Sequence, residues 1–279
     1  MDTLVTGDVK YTGRNSDKGL SPALWGRIPL SKMVDPNSGK FVFDDFLTFG
    51  GTVATNVGTY ASGGGAYLSY EDTGGSIAQL ATSVLGEVKL TTDTTDNDEV
   101  WMQPGGAASV LGAISNTAGN DCLLIFEARV KLSQITSGNA FVGLSEEALA
   151  AADTITDADA LADKDLIGFA QLAADLDAFQ FVYRKAGQSV VQVEDVAHTI
   201  VADTYVKLGF VYDPLAPAAK RITIYVNGTD IGVYVTATNI AAATFPNAEE
   251  LNALFGVKNG AAAAKALTVD WWAFFQEKK

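Results

Sequence analysis

The residue types that do chemistry are few in this chain. Its 279 residues include one histidine and one cysteine. His198 stands in the run DVAHTI and reads as a surface loop residue between strands. Cys122 opens the apolar run CLLIF and reads as a small core residue that makes no internal disulfide. One histidine cannot build a serine or cysteine triad with a thiol that lies inside a strand. Zinc needs several Cys or His ligands, so the count excludes it. Gly63-Gly64-Gly65 is followed neither by Lys-Ser/Thr nor by a helix, which makes it a turn and not a phosphate cradle.

Carboxylates are the remaining chemistry. Asp93, Asp96, Asp98 and Glu99 fall within seven residues, and Asp153, Asp157, Asp159, Asp163 and Asp165 within thirteen. Oxygen ligands at such density could hold calcium. Neither run has the glycine and glutamate spacing of an EF-hand, so solvated acidic loops are the expectation. Glycoside hydrolysis needs two carboxylates facing one cleft. The obvious strands carry single acids, Glu127 and Asp270, so no enzyme, metal or cofactor is expected.

The elements that would position these residues read as strands. From Tyr205 to Tyr212 the residues alternate, with Val206, Leu208, Phe210 and Tyr212 on one face, the period of a strand with one buried face. Asp213-Pro214 ends that run. A second strand, Lys220–Val226, reaches Asn227-Gly228, a strong hairpin signal because both residues tolerate positive φ. Ile231–Val235 returns, completing an antiparallel meander. Turn signals recur about every 8–12 residues upstream. Cys122–Leu132 is the longest apolar strand, and Leu267–Phe275 reads as a central strand covered on both faces. Ser145 is the expected cap of a short helix, and Asn247–Leu254 reads as a second one. About thirteen strands and two short helices describe an all-β chain, a two-sheet antiparallel β-sandwich.

Residues 1–40 differ from this body. They are rich in Gly, Ser, Pro and Asn, and they carry six Lys/Arg against four Asp, while the other 239 residues hold 13 basic and 29 acidic side chains. They read as an extended N-terminal arm, with 41–279 the sandwich domain. The net charge of −14 argues against nucleic acid and anionic membranes. The first residues have no apolar core of a secretory signal, and no stretch reaches the roughly 18 apolar residues of a membrane helix.

The phrases FEARVKLSQI, AFVGLSEE, DLIGFAQL, YVKLGFVYDP, ITIYVNG and LTVDWWAF resemble concanavalin A-like, laminin G-like jelly-roll domains of tailed-bacteriophage structural proteins. The resemblance runs from about Phe41 to Gln276. The Glu-x-Asp-x-Glu strand of the family's glucanase branch and the metal-bound set of its legume lectins have no counterpart here. The resemblance implies a virion structural protein, a capsid decoration, cement or minor head protein, with the major capsid protein or other virion subunits as partners. The attachment residues expected from the arm are Leu24, Trp25, Arg27, Ile28 and Pro29, since Trp and Arg are enriched at binding hot spots. The alternative is a carbohydrate-binding module for host glycans, with Tyr60, Tyr67, Tyr70, Trp101 or Tyr234 as an aromatic platform. Homo-oligomerisation stays open.

Overall fold

The computed structural model describes residues 18–54, 56–80, 86–106, 109–146, 153–173 and 177–278. Helices α1 (Pro22–Trp25) and α2 (Leu30–Val34) come first. They precede β1 (Gly39–Asp44), β2 (Phe49–Ala54), β3 (Val57–Ser62), β4 (Gly65–Glu71), β5 (Ser76–Gln79), β6 (Val88–Thr91) and β7 (Glu99–Pro104). Next are β8 (Leu124–Leu132), β9 (Gly138–Glu146), β10 (Leu166–Gln171), β11 (Ala178–Arg184) and β12 (Val191–Thr199). The meander follows as β13 (Val206–Tyr212), β14 (Ile222–Val226) and β15 (Thr229–Val235). Helix α3 (Ala237–Ala241), β16 (Leu251–Asn259) and β17 (Ala266–Glu277) complete the order.

One sheet runs β15-β14-β13-β8-β17-β6-β5, with β1 as its eighth strand. The other runs β12-β11-β10-β9-β16-β7-β4-β3-β2. Every pairing is antiparallel. The chain is an all-β, two-sheet antiparallel sandwich. Alternation along the strands explains which side chains fill it. Leu124, Phe126, Ala128, Val130 and Leu132 of β8 enter the interior, as do Leu208, Phe210 and Tyr212 of β13. The Asn227-Gly228 turn has φ of 49° and 75°, as a hairpin of that sequence requires.

Strand β17 is the centre of its sheet. It pairs with β8 along one edge; on the other, β6 meets its first half and β1 its second. A register shift between Val269 and Trp271 changes its phase. Val269, Trp272 and Phe274 therefore face the interior, whereas Ala273 and Phe275 face outward. Trp271 is 4% exposed and Trp272 fully buried, the two-faced burial expected of a central strand.

Several expectations are corrected. Residues 251–254 are not helical. Leu251, Ala253, Phe255 and Val257 fill the interior while Leu254 joins an apolar cluster on the outer face. A strand buried on both faces thus imitates the i, i+3, i+4 spacing of a helix. The real helix in that region is α3, which Thr236 and Asn239 close with a reciprocal capping box. Ser145 lies inside β9 and caps nothing there, and residues 147–152 fall outside the described set. His198 is in β12 opposite Phe179, half-buried, and not in a loop. Among the described residues seventeen strands stand where about thirteen were expected. Two of the additions, β2 and β3, are short and built largely of Gly, Thr, Val and Ala.

Trp272 is enclosed by interior side chains and donates from Nε1 to the Tyr67 hydroxyl at 2.7 Å. Trp272→Ala should lower unfolding free energy by about 3–5 kcal/mol in denaturant titration. A loss below about 1 kcal/mol would contradict the position assigned to β17.

Candidate functional site

The first described residues lie against the outer face of the eight-stranded sheet. The cause is a carboxylate. Glu127 sits on the outward face of β8 and is 1% exposed. Its Oε2 accepts hydrogen bonds from the Ser21 backbone N–H at 3.0 Å and from Trp25 Nε1 at 2.7 Å. Burial pushes the Glu127 carboxyl up, and the donors of Ser21 and Trp25 and the Lys207 ammonium pull it back. Lys207 Nζ also donates to the Gly19 carbonyl. Around this polar anchor Leu24, Trp25 and Ile28 pack on Ile125, Val211, Tyr225, Ala273 and Phe275. Gly209 of β13 makes the approach possible, since a Cβ there would meet Leu24 Cδ2 at 2.8 Å.

The five expected attachment residues therefore go elsewhere. Leu24, Trp25 and Ile28 are buried on the chain's own sheet. Arg27 donates from Nη2 to the Tyr225 hydroxyl at 2.6 Å and lies 3.7 Å from Asp213. Pro29 caps α2. Nor is the described part of the arm extended. Residues 22–25 and 30–34 are helical, and the boundary placed at residue 40 falls inside β1. The local sequence shows a tryptophan with no core of its own, but not that Glu127, 102 residues away, is its partner.

Docking the arm leaves a groove. Leu20, Leu30, Met33 and Val34 form one wall and Phe43 and Trp271 the other, with Lys18 at the end, around a volume of about 380 Å³. Val34 is 80% exposed, and Leu30 and Phe43 are 40% exposed each. Trp271 Nε1 donates to the Lys18 carbonyl, which ties the wall to the point where the described chain begins. A second cleft of about 580 Å³ shares Met33, Val34 and Phe41 and extends to Lys40 and Lys278. An apolar concavity bordered by a few polar groups is the usual form of a binding site. The sequence signal for it, LSKMV followed by FVF, was too short to separate from ordinary packing.

The opposite outer face is closed too. Ile155 and Leu161 from the acidic excursion cover Trp101, Phe141, Leu166 and Leu254 on the nine-stranded sheet. Trp101 lies across β16 at Gly256, where a Cβ would meet its ring at 1.8 Å. The two acidic runs meet at Lys258, which is 1% exposed. Its Nζ lies 2.7 Å from Asp157, 3.4 Å from Asp153 and 3.9 Å from Glu99. Glu99 also accepts from Trp101 Nε1 at 2.8 Å and from the Asp153 N–H at 2.6 Å. Among the described residues no group of three or more His, Cys, Asp or Glu is placed to hold a metal ion.

A third concavity of about 250 Å³ lies at one end of the sandwich, with Asn116, Asp121, Tyr212 and Arg221 on its walls. Of the expected sugar platforms, Tyr60, Tyr67 and Trp101 are buried. Tyr70 and Tyr234 are half-buried, and their hydroxyls donate to Asp72 and Asp230.

No protein-family model matches the chain, and no curated protein matches it. Solved structures share its fold. A protein of unknown function from Shewanella oneidensis MR-1 aligns at TM-score 0.52 and 14% identity, over 93% of this chain and 95% of that one. A prokaryotic β-1,3-1,4-glucanase (lichenase) derived from a mouse hindgut metagenome aligns at 0.51 and 12%, over 84% and 98%. The carbohydrate recognition domain of Emp47p aligns at 0.49 and 11%, over 88% and 99%. The shared feature is the concanavalin A-like jelly roll, and a fold alone does not give a function.

Two predictions follow from the covered faces. Gly209→Val should push Leu24 away and cost about 1–3 kcal/mol, with faster proteolysis within residues 18–34; unchanged protection would contradict the arm's seating. Burial pushes the Glu99 carboxyl up to about 7 from 4.5, against the pull of Trp101, Asp153 N–H and Lys258. The folded state then keeps a proton that the unfolded chain releases. The stabilising contribution is complete below pH 4.5 and lost as pH rises through about 7, roughly 3 kcal/mol in all. Glu99→Gln should remove that slope from the difference between the two stability curves. Parallel curves would show that Glu99 titrates normally.

Proposed function

We propose that this chain is a non-catalytic structural protein of a tailed-bacteriophage virion, made in the host cytoplasm and attached to the major capsid protein or another virion subunit. The apolar groove between α2, β1 and Trp271 carries the reading. Exposed Leu30, Val34 and Phe43 gather beside the nearly buried Trp271 at one place, and contiguous exposed apolar surface marks contact with other molecules. The attachment surface is thus displaced from the residues first expected to the outward side of the same arm. Four buried strand acids support a non-catalytic role, because each of them is engaged. Glu127 holds Trp25, Asp270 pairs with Arg129, Glu99 faces Lys258, and Glu71 accepts from Tyr60 and Ser69.

A second reading, a module that binds host-surface glycans, draws more from the comparisons than the first does. The glucanase shares the fold, and the end concavity offers Asn116, Asp121 and Arg221 beside Tyr212. A glycan array with a millimolar follow-up titration separates the readings.

Val34→Asp places a charge on the most exposed apolar residue of the groove. It should leave the melting temperature unchanged and reduce attachment to purified particles by about tenfold or more. Mass spectrometry of the particles comes first, and absence of the chain from them defeats the virion reading. Full attachment by Val34→Asp, or glycan binding that Arg221→Ala abolishes, favours the alternative.

A further inference from the structure

We propose that the groove accepts a partner segment of defined chemistry: an extended apolar stretch followed by an acidic group, the apolar part lying against Val34, Phe43 and Trp271 and the acid against Lys40 and Lys278. The inference rests on the docking reading above and names what docks. Its first basis is continuity. Met33, Val34 and Phe41 line both concavities, so the apolar groove lies directly beside the cleft that reaches the two lysines.

Its second basis is charge. The whole chain carries −14, yet this end of the groove is cationic. Lys40 and Lys278 are both exposed, and each donates to a backbone carbonyl, that of Val110 and that of Pro36. Neither is in an ion pair among the described residues. The nearby carboxylates have other partners, although the Lys278 charge also reaches Asp35. Asp35 accepts from the Ser38 hydroxyl and the Asn37 N–H, and Glu277 pairs with Lys32. Burial lowers the Lys40 pKa first and the neighbouring Lys278 charge lowers it further, so the two ammonium groups are near enough to act on each other. An anion placed between them relieves that repulsion and gains from both. Complementary charge of this kind selects a partner and its direction more than it adds raw affinity.

The measurement is fluorescence anisotropy with the full chain and two short labelled peptides. Both contain Leu-Phe-Val; two aspartates follow in one and two lysines in the other. The acidic probe should bind about tenfold more tightly at low salt, the difference shrinking as salt rises. The double variant Lys40→Glu, Lys278→Glu should reverse the preference, and the milder pair Lys40→Gln, Lys278→Gln should abolish it. Both pairs keep the wild-type melting temperature, since the side chains are exposed. Equal binding of the two probes overturns the inference, as does a preference untouched by the lysine variants. Binding that appears only after residues 1–17 are removed also overturns it, by giving the groove to the chain's own first segment. A concentration-dependent dimer abolished by Val34→Asp overturns it in favour of a second copy. If Val34→Asp detaches the chain from particles while the probes bind alike, docking stands and the acidic partner falls. If the probes discriminate while Val34→Asp particles stay decorated, the docking reading fails instead.

Discussion

One buried carboxylate governs the surface this protein presents. Glu127 points out of a sheet into a place that water does not reach, and an ionised group so placed is costly unless hydrogen bonds replace its hydration. Ser21 and Trp25 supply those bonds. The polar requirement decides where the arm must lie, and the apolar contacts of Leu24, Trp25 and Ile28 then add their burial. With α1 anchored, only four residues separate Trp25 from α2. The position of Leu30, Met33 and Val34 is therefore inherited from Glu127, and with it one wall of the groove.

The other sheet repeats the logic with opposite charge. Lys258 is the buried ion there, and the acidic excursion comes back over the sheet to meet it. In each case a charged side chain on an outward strand face recruits a distant segment as its cover. The central strands of both outer faces are consequently covered, and the described residues form three apolar clusters. Among the described residues, concavities lie at the seam where the arm meets β1 and at one end of the sandwich. A shared fold with a glucanase thus says little about the groove, because the arm supplies one of its walls.

The sheets were legible where apolar residues alternate with polar or small ones, whether or not the second face is covered. Val206–Tyr212 and the Asn227-Gly228 turn show this, since period-two alternation and positive φ are local properties. They were illegible where apolar residues on both faces fall at helical spacing. Leu251–Asn259 has apolar residues on each side, so its spacing matches a helix as well as a strand. The binding surface was hidden for another reason. Trp25 was visible as a residue needing a partner, but whether that partner was a neighbour or Glu127 is decided by contacts more than a hundred positions apart. The acidic runs were likewise visible as clusters, while their common cation was not. Lys258 sits in a strand that the spacing had misassigned at its start.

Hydrogen exchange of the protein, free and on purified particles, tests the central claim most directly. The account predicts slowed exchange on binding at residues 30–34 and 39–44, with the strand ends around Asn116 and Arg221 unchanged. Slowing confined to that end of the sandwich, or to the acidic cover at 153–165, would contradict it.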